Sequence, residues 1–205
     1  MKISRLILGV VLSVGFASCN NDDSIVEEEP QVKSYELASL QWKLKSTDGQ
    51  SIIEKKVPEF YFRNDSDTIM PVVIEPLKNL NGSSKFNFND SLAFAELNYA
   101  EAEVSIPKEL SLLSERYRQL GGGINAPLKL EESSFPFSRY HKDSTGLNKN
   151  SQMTSNYTIF LRKNTASFLA TFREMDTGGI FELEGTWTGL FFNNLEEKSV
   201  ISEIE

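Results

Sequence analysis

The sequence predicts a mainly β, antiparallel domain with one short helix. Three observations predict it. Apolar and polar residues alternate along most of the chain from Ser34 onward. The alternating runs are short and closed by turn residues, as at Thr47-Asp48-Gly49 and Asn64-Asp65-Ser66-Asp67. Helical spacing is confined to one stretch, residues 108–121.

The elements follow in order. Leu40, Trp42 and Leu44 share one parity. Phe60-Tyr61-Phe62 is a short apolar run. Ile69 to Ile74 is β-branched but carries Pro71, which marks an edge strand or a bulge. Phe86 and Phe88 share a face, and Leu92 and Phe94 continue that parity. Val104 and Ile106 form another run, ended by Pro107. Leu110, Leu113, Tyr117 and Leu120 are spaced by three, four and three, so they fall on one helical face, with Gly121-Gly122-Gly123 as the stop. His141 to Ser155 shows little pattern and reads as a loop. Phe168, Ala170 and Phe172 precede the turn Asp176-Thr177-Gly178-Gly179, and Phe181, Leu183 and Trp187 follow it. That is a hairpin signal, with Phe168–Phe172 expected to pair antiparallel with Ile180–Trp187, Phe172, Phe181, Leu183 and Trp187 expected inside, and Glu182 and Glu184 facing water. The acidic end, 193–205, is expected to fray.

Composition excludes several function classes. The chain has 205 residues, 21 Lys+Arg against 29 Asp+Glu, and a net charge of −8. That balance excludes nucleic-acid binding through phosphate neutralisation, which needs clustered cations. One cysteine and one histidine are too few for an intrachain disulfide or the usual zinc sites. No P-loop, dinucleotide fingerprint or nucleophile elbow is present, and no cofactor or metal is expected.

The N-terminus reads as a targeting segment. Lys2 and Arg5 are a positive start, and Leu6 to Phe16 form an apolar stretch. That stretch is shorter than the roughly 20 residues a membrane span requires. Phe16-Ala17-Ser18-Cys19 then resembles a bacterial lipobox, with cleavage before Cys19. The resemblance implies acylation of Cys19, palmitate among the chains. Two or more chains anchor a protein stably, whereas one does not. The expected organisation is a lipoprotein signal peptide over 1–18, an acidic tether over 19–33, one β-rich domain over 34–192 and an acidic tail over 193–205. Asp22, Asp23 and Glu27 to Glu29 resemble a surface-export signal, so the expected place is the outer membrane, facing out.

Within Thr165 to Gly189, Ala170-Thr171-Phe172-Arg173, Thr177-Gly178 and Gly185-Thr186-Trp187-Thr188-Gly189 are similar to the closing hairpin of the aerolysin-like epsilon-toxin/mosquitocidal-toxin family. Phe62-Arg63-Asn64-Asp65-Ser66, followed by Pro71, resembles that family's strand ending in an Asn-x-Ser turn. The resemblance implies an elongated antiparallel β-sheet or sandwich. It also implies a secreted or membrane-facing module that forms homo-oligomers and inserts an amphipathic segment. A lipocalin-like β-barrel carries similar Gly-Thr-Trp stretches and is the alternative fold.

Two functions follow. The first is a lipid-anchored, non-enzymatic module that interacts with membranes or oligomerises. The second is a binding lipoprotein for a small apolar ligand, a glycan or a protein partner. In the first, the inserting arms would be Leu92–Val104 and Asn125–Phe137. Glu96, Glu101, Glu103, Glu131 and Glu132 oppose insertion there, so the segment is expected to stay on the sheet.

Other residues carry groups capable of chemistry. His141 is a candidate base. Glu131-Glu132 are candidate paired carboxylates. Asn64, Asp65 and Asp67 are candidate calcium ligands. Trp42, Trp187, Tyr61, Tyr99 and Tyr140 are candidate sugar-stacking or groove residues. In each case packing or solvation is the commoner explanation.

Replacing Cys19 with Ala should move the protein from the detergent to the aqueous phase in phase partitioning. Unchanged partitioning would exclude lipidation.

Overall fold

The computed structural model describes residues 33–114, 117–137 and 141–204. Cys19, most of the expected tether and Tyr140 lie outside them. The strands are β1 (Tyr35–Trp42), β2 (Gly49–Lys56), β3 (Phe60–Asn64), β4 (Met70–Ile74) and β5 (Asn81–Phe88). The helix α1 (Ser91–Glu96) follows. Then come β6 (Glu103–Ile106), β7 (Glu109–Ser114), β8 (Tyr117–Gly121), β9 (Ile124–Pro127), β10 (Ser133–Pro136) and β11 (Asp143–Leu147). The chain closes with β12 (Ser151–Glu174) and β13 (Ile180–Glu203).

The spine is the β12–β13 hairpin. Each strand has 24 residues and the two pair from Ser151↔Glu203 to Arg173↔Ile180. At roughly 3.3 Å per residue each strand is about 80 Å long, so the sheet is elongated. Gly178, at φ +73°, makes the turn. One bulge, at Asn193, interrupts the ladder between Phe160↔Asn194 and Leu161↔Phe192. β1, β2 and β3 line the outer edge of β12 in succession, opposite 168–174, 158–165 and 151–155. Residues 35–64 therefore form one broken ribbon antiparallel to β12. On the other side β13 pairs β5, and β5 pairs β10. The sheet ends there and does not close, so the domain is an open antiparallel sheet and not a lipocalin-like barrel.

Burial along β12 changes parity once. Met153, Tyr157, Ile159 and Leu161 are buried at odd positions. Ala166, Phe168, Ala170 and Phe172 are buried at even positions. Successive residues of a strand face opposite sides, so the hairpin is covered on one face at its open end and on the other near its turn. At the open end β4 and β11 supply Val72, Ile74 and Leu147. Near the turn the cover is α1 and the β6/β9 pair, with Phe94, Val104, Ile106 and Ala126. Phe168 is central, with the rings of Phe86 and Phe88 at 5.4 and 5.2 Å.

Two buried polar side chains pin the connections. Asp48 Oδ2 accepts from the backbone N–H of Lys45 (2.7 Å) and Ser167 (2.8 Å), and Oδ1 accepts from Ser167 Oγ (3.0 Å). Asn64 Nδ2 donates to the carbonyls of Thr68, Leu147 and Asn148 at 2.8, 2.9 and 3.0 Å. Its Oδ1 accepts from Ser66 Oγ at 2.6 Å. The Asn-x-Ser turn is thus the clasp that ties β3 to the end of β11.

Several expectations are corrected. The short helix expected near 108–121 is absent: those residues form β7 and β8. The helix lies at Ser91–Glu96, where the Asp90 side chain accepts from Ala93 N–H at 2.9 Å and starts a turn. Phe94 is buried against Phe88, whereas Leu92 is exposed. The expected loop 141–155 contains β11 and the start of β12. The acidic end, expected to fray, continues β13 to Glu203. Phe172, Leu183 and Trp187 are buried as expected, but Phe181 lies exposed over Tyr35.

Trp187 has no exposed surface, and its Nε1 donates to Ser84 Oγ at 2.9 Å. Trp187→Ala should lower the unfolding free energy by about 3–5 kcal/mol in urea melts. A loss under about 1 kcal/mol, within the range of ordinary surface substitutions, would contradict the burial.

Candidate functional site

The feature with most chemical meaning is a second hairpin laid across the first. β6 pairs β9 with Glu103↔Pro127 and Ile106↔Ile124, and β7 pairs β8 with Glu109↔Gly121 and Leu112↔Arg118. The two pairs share one register, since the partners' numbers sum to 230 throughout β6/β9 and from Glu109↔Gly121 to Leu112↔Arg118, with one shift before Ser114↔Tyr117. Glu103–Pro127 is therefore a single long hairpin bent at Pro107 and Lys108. Gly122, at φ +59°, sits across from Lys108.

The hairpin is two-sided. Val104, Ile106, Leu110 and Ala126, at even positions, are buried in the core over β12 and β13. Ile124 and Leu120 are half-buried on the same parity. Glu103, Ser105, Glu109 and Asn125, at odd positions, are exposed. Two residues at the bend depart from this pattern: Lys108 is a half-buried cation on the apolar parity, and Pro107 is buried on the polar one.

The arms expected at Leu92–Val104 and Asn125–Phe137 do not coincide with the paired strands, which run from Glu103 to Pro127, and Leu92 lies on α1. Glu96 lies on α1, and Glu101, Glu131 and Glu132 lie outside the paired arms. The carboxylates within the arms, Glu103 and Glu109, share the polar parity. Of the five carboxylates argued from sequence to oppose insertion, Glu103 alone lies in an arm, on the polar parity.

Two polar contacts hold the hairpin down. Asn164 is fully buried where β12 changes its covered face, and its Nδ2 donates to the carbonyls of Lys108 (2.9 Å) and Pro107 (3.3 Å). It grips the hairpin at the bend. Its Oδ1 is buried without a partner among the described residues. At the base, Tyr99 Oη donates to the Leu128 carbonyl. Burial, with Glu101 and Glu131 nearby, pushes the Tyr99 phenol up to about 12. At the far end of β12, Tyr157 Oη donates to Asp143 Oδ2 at 2.8 Å, and burial and that bond also raise its pKa.

The other candidate residues lie elsewhere. His141 Nε2 is 3.0 Å from Asp143 Oδ2, in the Tyr157 group. Glu131 and Glu132 are exposed beyond β9. Among the described residues no group of three or more His, Cys, Asp or Glu is placed to hold a metal. Asp65 meets Arg63 at 2.8 Å, while Asn64 serves the turn. Trp42 is half-buried with its ring 5.4 Å from that of Trp187, so the two tryptophans pack on each other. Tyr61 is exposed and bonds Gln152. Among the described residues no helix is long and apolar enough to cross a membrane.

The Gly-Thr-Trp-Thr-Gly stretch is explained by packing. A Cβ at Gly185 would meet the Phe168 ring at 2.5 Å, and one at Gly189 would meet the Trp187 ring at 2.2 Å. The glycines make room for rings.

No family model and no curated protein matches this chain. Solved structures resemble it at low identity. The lamprey immune protein aligns with a TM-score of 0.49 and 13% identity, over 83% of this chain and 54% of that one. This chain thus spans about half of the lamprey protein. Parasporin-2, a Bacillus thuringiensis toxin that recognizes cancer cells, aligns with a TM-score of 0.42 and 11% identity, over 82% and 74% of the two chains. An aerolysin-like protein of Bombina maxima aligns with a TM-score of 0.37 and 10% identity, over 82% and 98%.

Asn164→Ala should leave the Pro107 and Lys108 carbonyls unpaired at a cost of about 1–3 kcal/mol. Amide exchange in Glu103–Pro127 should then accelerate at least tenfold while β12–β13 protection holds. Equal acceleration in both hairpins would contradict the grip. For Tyr99 the pKa is raised, so the stability it contributes is complete below about pH 10 and is lost as pH rises through about 12. The wild-type unfolding midpoint should therefore fall more steeply between pH 10 and 12 than that of Tyr99→Phe. Parallel curves would contradict this.

Proposed function

We propose that the chain is a lipid-anchored, surface-facing envelope protein whose β-domain acts on membranes without catalysing a reaction. Cys19 carries the anchor and the acidic tether spaces the domain from the bilayer. The Glu103–Pro127 hairpin is the membrane-active segment, and copies of the chain supply its neighbours in the membrane.

The observation that carries this reading is the two-sidedness of the hairpin in one register from Glu103↔Pro127 to Leu112↔Arg118. A membrane β-strand needs about 9–11 residues, and residues 103–114 and 117–127 supply arms of that length. Strands of membrane barrels alternate an apolar outer face with a polar inner one. Here Val104, Ile106, Leu110, Ile124 and Ala126 match the first, and Glu103, Ser105, Glu109 and Asn125 the second. The hairpin's ladder is internal to it, so it can leave the sheet without breaking its own backbone pairs. Its two outer edges would then need partners, because unpaired backbone is not tolerated in lipid. That requirement supports an oligomer. Lys108 is an adverse element, at about 2–4 kcal/mol near the bilayer midplane and less toward an interface, and Arg118, opposite Leu112, is a second cation at an even position.

The test is dye release from phosphatidylcholine liposomes at micromolar protein, using the Cys19→Ala chain. Release should rise in Asn164→Ala, which frees the bend, and in Lys108→Leu, which removes one adverse charge. It should stop in an oxidised Lys108→Cys/Asn164→Cys pair and return on reduction. No release from any of these variants would overturn the proposal.

A further inference from the structure

A cavity beside the bend of the second hairpin carries chemistry that the membrane reading does not use. Its volume is about 280 Å³, at the small end of ligand sites. It opens between the hairpin, β10 and the central strands. Two ring pairs form its walls: Phe135 with Phe191, centroids 5.4 Å apart, and Phe137 with Phe192, 5.9 Å apart. Its charged groups are Lys108 and Arg162, both cationic.

Arg162 is the unusual member. It is half-buried, and its Nε has no exposed surface and no hydrogen-bond partner among the described residues. Buried donors are normally satisfied, and a charged one left unpaired is costly. Among the described residues neither Arg162 nor Lys108 pairs with a carboxylate. An aromatic cleft holding a guanidinium with an unpartnered Nε and no carboxylate among the described residues matches a ligand that is anionic at one end and apolar along its length.

We propose that this cavity binds a medium-chain fatty carboxylate, its head on Arg162 and Lys108 and its chain between the phenylalanine rings. The planar guanidinium fork matches a carboxylate bidentately. The small volume admits one chain and a compact head, and excludes a two-chain phospholipid. Such an occupant touches the hairpin through Lys108 and the sheet through Arg162 at once. Binding only to the closed arrangement, it stabilises that arrangement by mass action. The binding itself does not depend on the hairpin's ever leaving the sheet.

The test is calorimetric titration and thermal unfolding of the Cys19→Ala full chain with sodium decanoate, decanol and decyl phosphate, all below their aggregation thresholds. Decanoate should bind at micromolar concentration and raise Tm in proportion to its logarithm. Decanol should bind at least tenfold more weakly, because the cations are left unpaired. Arg162→Gln should lose at least tenfold in decanoate affinity and keep its affinity for decanol. Where that variant fails to fold, the wild-type ratio of decanoate to decanol decides. Equal binding of decanoate and decanol overturns the proposal, as does full decanoate affinity in folded Arg162→Gln. Decyl phosphate binding more than tenfold tighter than decanoate also overturns it, and reassigns the cavity to a phosphate headgroup.

Discussion

The pairing of β12 with β13 is the constraint on which the rest of the structure depends. A hairpin of this length exposes two faces and two edges, and neither face can be left wholly bare. The chain covers opposite faces at the two ends. β4 and β11 close one face against Met153 and Tyr157, while α1 and the β6/β9 pair close the other against Phe168 and Phe172. The bulge at Asn193 makes this workable on β13. It flips that strand's parity, so that Leu190, Phe192 and Leu195 all pack with Ile159 and Leu161. Residues 35–64 seal the edge of β12, and the knots at Asp48 and Asn64 fix where that ribbon breaks.

Function in this account arises from how one cover is attached. Core residues are normally held by side chains that no other environment would accept. The Glu103–Pro127 hairpin is held by an apolar stripe that lipid accepts equally well, together with polar grips at Asn164 and Tyr99. The apolar contact is therefore exchangeable, and the polar grips set how readily exchange occurs. Asn164 stands where the covered face of β12 switches, so its amide can enter the core and reach the hairpin's backbone. Its unpartnered Oδ1 marks this site as one where polar satisfaction is incomplete.

Much of the fold was legible in the sequence. Phe168 to Phe172, the Thr177-Gly178 turn and Leu183 to Trp187 gave the inner part of the long hairpin, because alternation and turn chemistry agreed there. Its outward extension was hidden. Residues 151–161 bury odd positions and 164–172 even ones, so no single parity runs through β12. The acidic residues of 193–203 obscured a strand that pairs along its whole length. The Glu103–Pro127 hairpin was hidden because Leu110, Leu113, Tyr117 and Leu120 also fit a helical face. The competing signal lay further apart, in Val104, Ile106, Ile124 and Ala126, and only the antiparallel pairing of β6 with β9 joins them. Asn164 and Arg162 carried no local signal, since nothing in sequence shows that a polar residue on a strand is buried.

The most direct test of the central claim is a nitroxide scan along residues 103–110 of the Cys19→Ala chain on liposomes, read as accessibility to oxygen and to a water-soluble relaxant. The account predicts a period of two, with positions 104, 106 and 110 becoming accessible to lipid-dissolved oxygen and positions 103, 105 and 109 staying accessible to the aqueous reagent. Profiles unchanged by the addition of liposomes, with 104 and 106 still shielded from both reagents, would contradict it.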